Sequence, residues 1–162
     1  MISILIIILI GLLYLQKKKA LKIFIDGADN TKIMDSKIVF EGDKIYIPIK
    51  TFAKQIGYEV FDGEHKQSYI EDKNKCYIKN KDEVTSYVLD SNQIYKKIIT
   101  TNEVSNYEYF EIDEPVKKIN GELYASINGI SNGCNVAISY NKENNKICLL
   151  YTSDAADDLI GV

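Results

Sequence analysis

Few side chains in this sequence are types that could carry out chemistry, and their spacing matches no known catalytic or metal-binding pattern. The single histidine, His65, lies in the turn sequence 62–66, away from any nucleophile motif, and an exposed residue without a catalytic role is the favoured interpretation. Asp26, Asp29 and Asn30 suggest calcium, but they lack the ligand spacing and the closing glutamate of a calcium loop. A solvated turn is favoured there, and we predict no catalytic, cofactor-binding or metal-binding residue.

A group of acidic residues could form an acid–base pair. Glu111, Asp113 and Glu114 alternate at the end of a predicted strand, just before Pro115. Charged side chains on the edge of a sheet discourage pairing with another chain, and we interpret these carboxylates in that way. The sequence contains no phosphate-binding loop, dinucleotide fingerprint or nucleophile elbow.

Two cysteines within the predicted domain allow two interpretations. Cys76 lies in an alternating strand pattern, and Cys134 takes an apolar position in a helical pattern. We expect both to be buried free thiols, because an unpaired cysteine behaves as a small hydrophobic residue. A single disulfide between them is the alternative. No CxxC or Cys/His spacing indicates a metal site.

The composition favours a strand-rich domain that does not bind nucleic acid. The chain has 162 residues, of which 46% are hydrophobic and 12 are tyrosine. This is enough for one packed core, and the abundant Ile, Val and Tyr favour strands. Residues 23–147 carry 16 lysines, no arginine and 20 acidic residues, a net charge of −4. Because nucleic-acid affinity depends mainly on neutralising phosphates, we exclude nucleic acid as a partner.

Residues 1–21 are expected to be a signal anchor or a signal peptide. The run 2–15 contains no charged residue, and Lys17–Lys19 follow almost immediately. As a helix this run spans about 21 Å, shorter than the hydrocarbon core of a bilayer, which suits a signal peptide or a short anchor with snorkelling lysines. Because no small-residue cleavage site precedes Lys22, an uncleaved anchor is favoured over a cleaved signal. A buried core helix is the third interpretation.

Two rules disagree about the side of the membrane on which the domain lies. The positive-inside rule places Lys17–Lys19, and the domain after them, in the cytoplasm. A secretory signal instead carries its positive charge before the apolar run. We expect a membrane-anchored protein with an extracytoplasmic domain, or a secreted protein, and a reporter fused after residue 30 would distinguish the two sides.

The end of the chain differs from the rest in its composition. Residues 148–162 contain no lysine or asparagine, and the run 148–157 resembles the conceptual translation of a transposon sequencing adapter. Such segments do not belong in an argument about the fold. We expect the genuine sequence to end near Ile147, in a natural protein that continued. A natural acidic tail is the alternative.

The elements that would position any site recur along the chain. From Lys44, alternating apolar residues predict a strand, Pro48 begins a short helix, and Gly57 ends it. The same apolar positions and helix ends return 78 residues later, from Glu122 to Asn135. This agreement at a fixed offset predicts an internal repeat.

The predicted fold is therefore an α+β, strand-dominated domain over residues 22–147, preceded by one hydrophobic N-terminal helix. It contains two quasi-equivalent repeats of β-hairpin, short helix and β-hairpin, at about residues 22–71 and 112–147. The strands between them occupy residues 75–111.

The helix of the second repeat is expected to be poorly formed. It contains Gly129 and Gly133, and each glycine costs about 1 kcal/mol relative to alanine in a helix interior. We predict a single distorted turn there, held in place by tertiary packing.

The first repeat resembles the N-terminal domain of copper amine oxidase, which also occurs as a stalk domain on Firmicute surface proteins. The segments that match the family pattern are 23–27, Tyr46-Ile-Pro-Ile-Lys50, Gln55-Ile-Gly57, Tyr58-Glu-Val60 and Phe61-Asp-Gly63. Lys50 replaces the usual arginine, Phe61 replaces the usual tryptophan, and the second copy lacks the proline. The resemblance implies an extracytoplasmic, non-catalytic module that is often attached to a separate enzymatic or wall-binding domain.

The family name raises the question of copper, which the residues do not support. Copper amine oxidases bind copper through three histidines of their catalytic domain, and this chain has only His65. Their cofactor tyrosine lies in an Asn-Tyr-Asp/Glu sequence, which Asn106-Tyr107-Glu108 matches within an alternating strand pattern. Without ligands to hold copper, we expect no quinone cofactor at Tyr107.

Three functions are compatible with the sequence. We expect a non-catalytic cell-surface or wall-associated structural or binding module. Its partners would be the membrane, through the N-terminal helix, and either a cell-wall polymer or another domain of the same protein. The alternative is a membrane-anchored regulatory or sensor domain. The third is an accessory domain of an enzyme whose catalytic part follows residue 147.

Overall fold

The computed structural model describes residues 20–34, 37–61, 74–81, 83–98 and 107–151. These residues form a strand-dominated α+β structure, as the sequence predicts. The elements in chain order are β1 (Lys22–Ile25), β2 (Ala28–Asp29), α1 (Thr31–Met34), β3 (Val39–Glu41), β4 (Lys44–Pro48), α2 (Ile49–Gln55), β5 (Glu59–Phe61), β6 (Lys75–Lys79), β7 (Glu83–Val88), β8 (Gln93–Ile98), β9 (Tyr107–Glu111), β10 (Lys117–Ile119), β11 (Glu122–Ser126), α3 (Ile127–Cys134), β12 (Val136–Asn141) and β13 (Lys146–Tyr151).

The predicted N-terminal helix and the predicted turn at Asp62-Gly63 lie outside the described residues. Among the helices that are described, none has both the length and the apolar character needed to cross a bilayer.

The central sheet has the strand order β10-β11-β4-β3. Its two middle strands run antiparallel, with Ile47 directly opposite Ala125, which lies 78 residues later in the chain. The outer strands join them in the same register at the same offset: Val39 lies opposite Tyr46, and Lys117 lies opposite Tyr124. The register of this sheet therefore has approximate two-fold symmetry about the point between Ile47 and Ala125.

A second sheet has the strand order β12-β13-β1-β2. Here β1 pairs in parallel with β13, so that Lys22 lies opposite Lys146 and Ile23 opposite Ile147. β13 continues past Ile147 to Tyr151, and so includes four residues of the segment with adapter-like sequence. The assignment of that segment to an adapter stays a prediction.

The third sheet is an antiparallel meander with the strand order β5-β6-β7-β8-β9. Four of its strands come from residues 75–111, where the sequence predicts three or four. Because side chains alternate between the faces of a strand, each strand gives one inner and one outer set of residues. The inner set includes Cys76, Ile78, Tyr87 and Ile94, which are each less than 1% exposed and belong to the core.

The helix ends follow from local chemistry. Pro48 directly precedes α2, and the chain leaves this helix at Gly57 with a positive φ of 81°. Ser126 caps α3 by accepting a hydrogen bond from the amide of Gly129 at 3.1 Å. Asn135 ends α3 in the left-handed conformation, with φ 51° and ψ 47°. The start of α2 and the ends of both helices lie where the sequence predicts them, whereas the Ser126 cap was not predicted.

The prediction of a single distorted turn in the second helix is wrong, because α3 is an eight-residue α-helix. Gly133 lies where the helix meets the third sheet, and a Cβ there would lie 1.7 Å from the hydroxyl oxygen of Tyr87. Gly129 faces the central sheet, and a Cβ there would lie 3.0 Å from the Cβ of Ala125 on β11. The glycines thus permit a close approach, and that packing offsets their low helix propensity.

Candidate functional site

The acidic turn that suggested calcium forms a local cap. The Asp29 carboxylate accepts a hydrogen bond from the amide of Thr31 at 2.9 Å, and the Asn30 side chain donates to the Ala28 carbonyl at 3.1 Å. Hydrogen bonds from Thr31 hold the pKa of Asp29 below its usual value. These contacts match a solvated turn that begins α1. In the part of the chain that the structure describes, no three His, Cys, Asp or Glu side chains are grouped to hold a metal ion.

The carboxylates near Pro115 do not act together. Glu111 lies on β9, which is an edge strand, as the interpretation of a charged edge requires. That interpretation is wrong for the other two. Asp113 accepts a hydrogen bond from the Ser126 hydroxyl, and Glu114 pairs with Lys44 and accepts from the Tyr46 hydroxyl at 3.3 Å. They fasten the end of β9 to the central sheet and to the start of α3.

The structure describes the remaining candidates, His65 and the sequence Asn106-Tyr107-Glu108, only in part. His65 and Asn106 lie outside the described residues. Glu108 is exposed on β9, directly opposite Lys96 of β8.

A buried lysine that no sequence pattern singles out lies at the centre of a polar cluster. Lys96 is only 2% exposed, and its ammonium group lies 3.4 Å from a Glu83 carboxylate oxygen and within hydrogen-bonding reach of the Asn135 side-chain oxygen. The Asn135 amide donates to the same Glu83 oxygen at 2.7 Å. The Phe110 ring centroid lies 5.2 Å from the ammonium. We call Lys96, Glu83 and Asn135 the lysine cluster.

The lysine cluster joins the third sheet to the end of α3. Because the last carbonyls of a helix have no partner within it, side chains must satisfy them when the helix end is buried. Thr85 donates to the Gly133 carbonyl at 2.8 Å, and Tyr58 donates to the Cys134 carbonyl at 2.9 Å. In the described part of the chain every buried polar side-chain atom has a partner. The cluster is a structural network between the third sheet and α3, in which the fully buried polar atoms are all paired.

Cys76 and Cys134 are both buried and unbridged, as the free-thiol interpretation predicts. The Cys134 sulfur lies 3.9 Å from the Tyr87 hydroxyl. Burial raises the pKa of the Cys134 thiol from 9.0 to about 12, and burial together with the nearby thiol raises the pKa of Tyr87 well above 10.0. Since a thiolate is the reactive form of cysteine, Cys134 is unsuited to nucleophilic chemistry in the folded protein.

We expect Cys134 to resist alkylation by iodoacetamide at pH 8 in the native protein and to react fully in urea. Mass spectrometry of digests would measure both rates, with the half-buried Cys148 as an internal reference. Because folding raises the pKa of the Cys134 thiol, the protonated thiol contributes fully to the stability of the fold below pH 9. This contribution is lost as the pH rises towards 12. Alkylation of Cys134 faster than global unfolding would contradict this assignment.

The outer face of the third sheet carries a row of aromatic residues in register across the strands. The row consists of four aromatic residues and one serine, each directly opposite the next: Phe61, Tyr77, Ser86, Tyr95 and Tyr109. Five strands at their usual spacing make this row about 19 Å long. The ring centroids of Tyr95 and Tyr109 are 6.1 Å apart with an edge-to-face tilt, and those of Phe61 and Tyr77 are stacked at 6.4 Å. We call this set the aromatic row.

One end of the aromatic row is open to solvent. Tyr109 is 71% exposed and Tyr95 is 39% exposed, whereas Tyr77 is buried. The Tyr95 hydroxyl donates to the Gln93 side chain at 3.2 Å. Lys97 and Glu111 lie on the same face, on either side of the exposed rings. The exposed rings and the amide, cationic and anionic groups beside them form a surface that offers both stacking and hydrogen bonding.

A family model described as the copper amine oxidase N-terminal domain matches residues 24–149. No curated protein and no solved structure matches the chain. The family match includes all three sheets and therefore both the lysine cluster and the aromatic row.

Proposed function

Because the chain belongs to the copper amine oxidase N-terminal domain family, we propose that it is an accessory module of the cell surface that binds a wall glycan. The family name supports an accessory role, since the N-terminal domain of copper amine oxidases is not itself the catalytic domain. The lysine cluster and the raised pKa of the Cys134 thiol fit a module without its own chemistry.

The aromatic row is the observation that supports glycan binding. Large apolar side chains left exposed in a soluble domain often mark a binding surface, and a tyrosine ring can stack on the apolar face of a sugar while its hydroxyl remains hydrogen bonded. Tyr109 is the most exposed of the large hydrophobic residues in the described part of the chain. Exposed rings on the open face of a sheet suit a polymer better than a compact ligand, which would need a cavity.

The charge of the domain argues against a different polymer. Residues 23–147 have a net charge of −4 and contain no arginine. Single-stranded nucleic acids also stack on aromatic rows, but they need a positively charged groove beside them. The outer face of the third sheet carries three lysines and two glutamates, a net charge of only +1: Lys75, Lys79, Lys97, Glu59 and Glu111. A glycan, which is recognised mainly by stacking and hydrogen bonds, fits this surface better.

We further propose that residues 1–21 tether the module to the membrane and that the domain lies outside the cytoplasm. The apolar run 2–15 and the lysines after it support the tether. The two-fold register of the central sheet supports an internal duplication, with copies centred on the segments β3–α2 and β10–α3.

Replacing Tyr109 or Tyr95 with alanine should weaken retention on purified cell wall by about tenfold each, because each change removes one stacking ring. Binding would be measured by co-sedimentation with wall sacculi over a range of polymer concentrations. The free energy of unfolding should change little for Tyr109→Ala, since this side chain is largely exposed.

Phe40→Ala is the matched control, because Phe40 is a 40% exposed aromatic residue on β3, in a different sheet. Its removal should leave wall retention unchanged. Equal retention of the wild type and both tyrosine variants would rule out the aromatic row as the glycan site.

A further inference from the structure

A second surface, on the sheet that contains β1, has the character of an anion site. Lys22 of β1 and Lys146 of β13 are directly opposite each other on paired parallel strands. Like charges in this position repel each other, so an anion between them is favourable. Together with Ala20, Phe24 and Asn144 they line a surface depression of about 560 Å³.

The depression combines two kinds of contact. Phe24 lies two residues after Lys22 on the same face of β1, and the Lys146 ammonium lies 4.3 Å from the centroid of the Phe24 ring. Two acids lie near the depression: Glu143, next to Asn144 in the turn before β13, and Asp29, opposite Phe24 on β2, whose carboxylate already accepts a hydrogen bond from the Thr31 amide. Lys22 contributes to the lowered pKa of Asp29 but is in no ion pair with it among the described contacts. The depression thus has two cations, an apolar ring and an amide.

We propose that this depression binds the phosphate of an anionic lipid headgroup and so seats the domain against the membrane surface. The inference rests on the proposed tether at residues 1–21. The depression includes Ala20, so it begins where the proposed tether ends. Lysines close to an anionic membrane surface are attracted to it within a Debye length. The phosphate contacts Lys22 and Lys146, and the Phe24 ring faces the upper acyl region.

The consequence for the module is a fixed orientation. A tether alone allows the domain to rotate freely about its point of attachment. Two lysines on adjacent strands, next to that point, hold the sheet of β1 and β13 against the lipid. The aromatic row lies on a different sheet and remains available to a wall polymer.

The test uses the full chain reconstituted into vesicles of phosphatidylglycerol or of phosphatidylcholine. The protein contains no tryptophan, so Leu150→Trp adds a unique fluorophore at an exposed residue on the same face of β13 as Lys146, outside the depression. Headgroup spin-labelled lipid should quench this reporter in phosphatidylglycerol, and much less in phosphatidylcholine. The Tyr109→Trp reporter, on the aromatic row, should be quenched weakly in both. Co-sedimentation with the vesicles measures the tether separately.

Lys22→Gln with Lys146→Gln should lower the ratio of docked to undocked domain by about thirtyfold in phosphatidylglycerol, from the attraction expected of two lysines at an anionic surface. Lys54→Gln with Lys118→Gln removes the same charge elsewhere and should leave the quenching unchanged. If the Lys22→Gln and Lys146→Gln variant is quenched as strongly as the wild type while the vesicles still retain it, the lipid site is overturned and the tether is not. Loss of retention would overturn the tether as well. Abolition of quenching by inorganic phosphate would assign the site to free phosphate instead.

Discussion

Gly133→Ala is expected to lower the free energy of unfolding by about 3 kcal/mol or more, the upper end of what overpacking costs. The new Cβ would lie 1.7 Å from the Tyr87 hydroxyl oxygen and 2.5 Å from the ring carbon that bears it. Tyr87 is fully buried on β7, so its ring cannot move into solvent. Relief of the clash requires α3 and the third sheet to separate, which also breaks the hydrogen bond from Tyr87 to the Gly129 carbonyl.

Urea denaturation followed by circular dichroism would measure this loss. Asn128→Ala is the matched control, because Asn128 is exposed on the same helix and alanine there should stabilise the helix slightly. In a Tyr87→Ala background the clash is absent, so adding Gly133→Ala should cost little. A loss of the same size in both backgrounds would show that the clash with Tyr87 is not the cause.

Lys96→Ala is expected to lower the free energy of unfolding by about 3 kcal/mol, at the lower end of the range for breaking a buried ion pair. The substitution leaves Glu83 and the Asn135 oxygen without their cation. Glu83 is 13% exposed, so water can reach part of its carboxylate and limits the loss. The lysine stem also fills space beside Phe110, which alanine would leave empty.

The free energy of unfolding of the double variant Lys96→Met and Glu83→Gln should lie within about 1 kcal/mol of the wild-type value. Methionine replaces the buried stem, and glutamine can keep the hydrogen bonds with Asn80 and Asn135 without a buried charge. If this double variant were as unstable as Lys96→Ala, the cost would lie in the lost ion pair and hydrogen bond of the Lys96 ammonium rather than in an unpaired charge.

The parts of the fold that depend on local pattern could be predicted from the sequence. Pro48, Gly57 and Asn135 act within a few residues of their own position, so they fixed the helix ends correctly. The 78-residue offset between apolar positions recurs as the offset between directly opposed residues of the central sheet, a pairing that was not predicted. For the helix ends the physical cause is contained in a short window of sequence.

The lysine cluster and the role of the glycines could not be predicted, because they depend on distant contacts. Lys96 lies in a strand pattern where an exposed lysine is the ordinary expectation, and only the packing of α3 on the third sheet buries it. Gly133 lowers helix propensity locally, but a glycine is needed there because Tyr87, which lies 46 residues earlier, occupies the space of a Cβ. The aromatic row likewise required the register of five strands, whereas the sequence showed only many tyrosines.

The parallel pairing of β1 with β13 determines how the domain would respond to mechanical load. The amide of Lys22 bonds to the Asn145 carbonyl, and the amide of Asp26 bonds to the Leu149 carbonyl, at opposite ends of the pair. A pull on β1 from the membrane side and on β13 from its far end would slide the two strands past each other. All the hydrogen bonds between them would then resist together, whereas a pull from one end would open them one at a time.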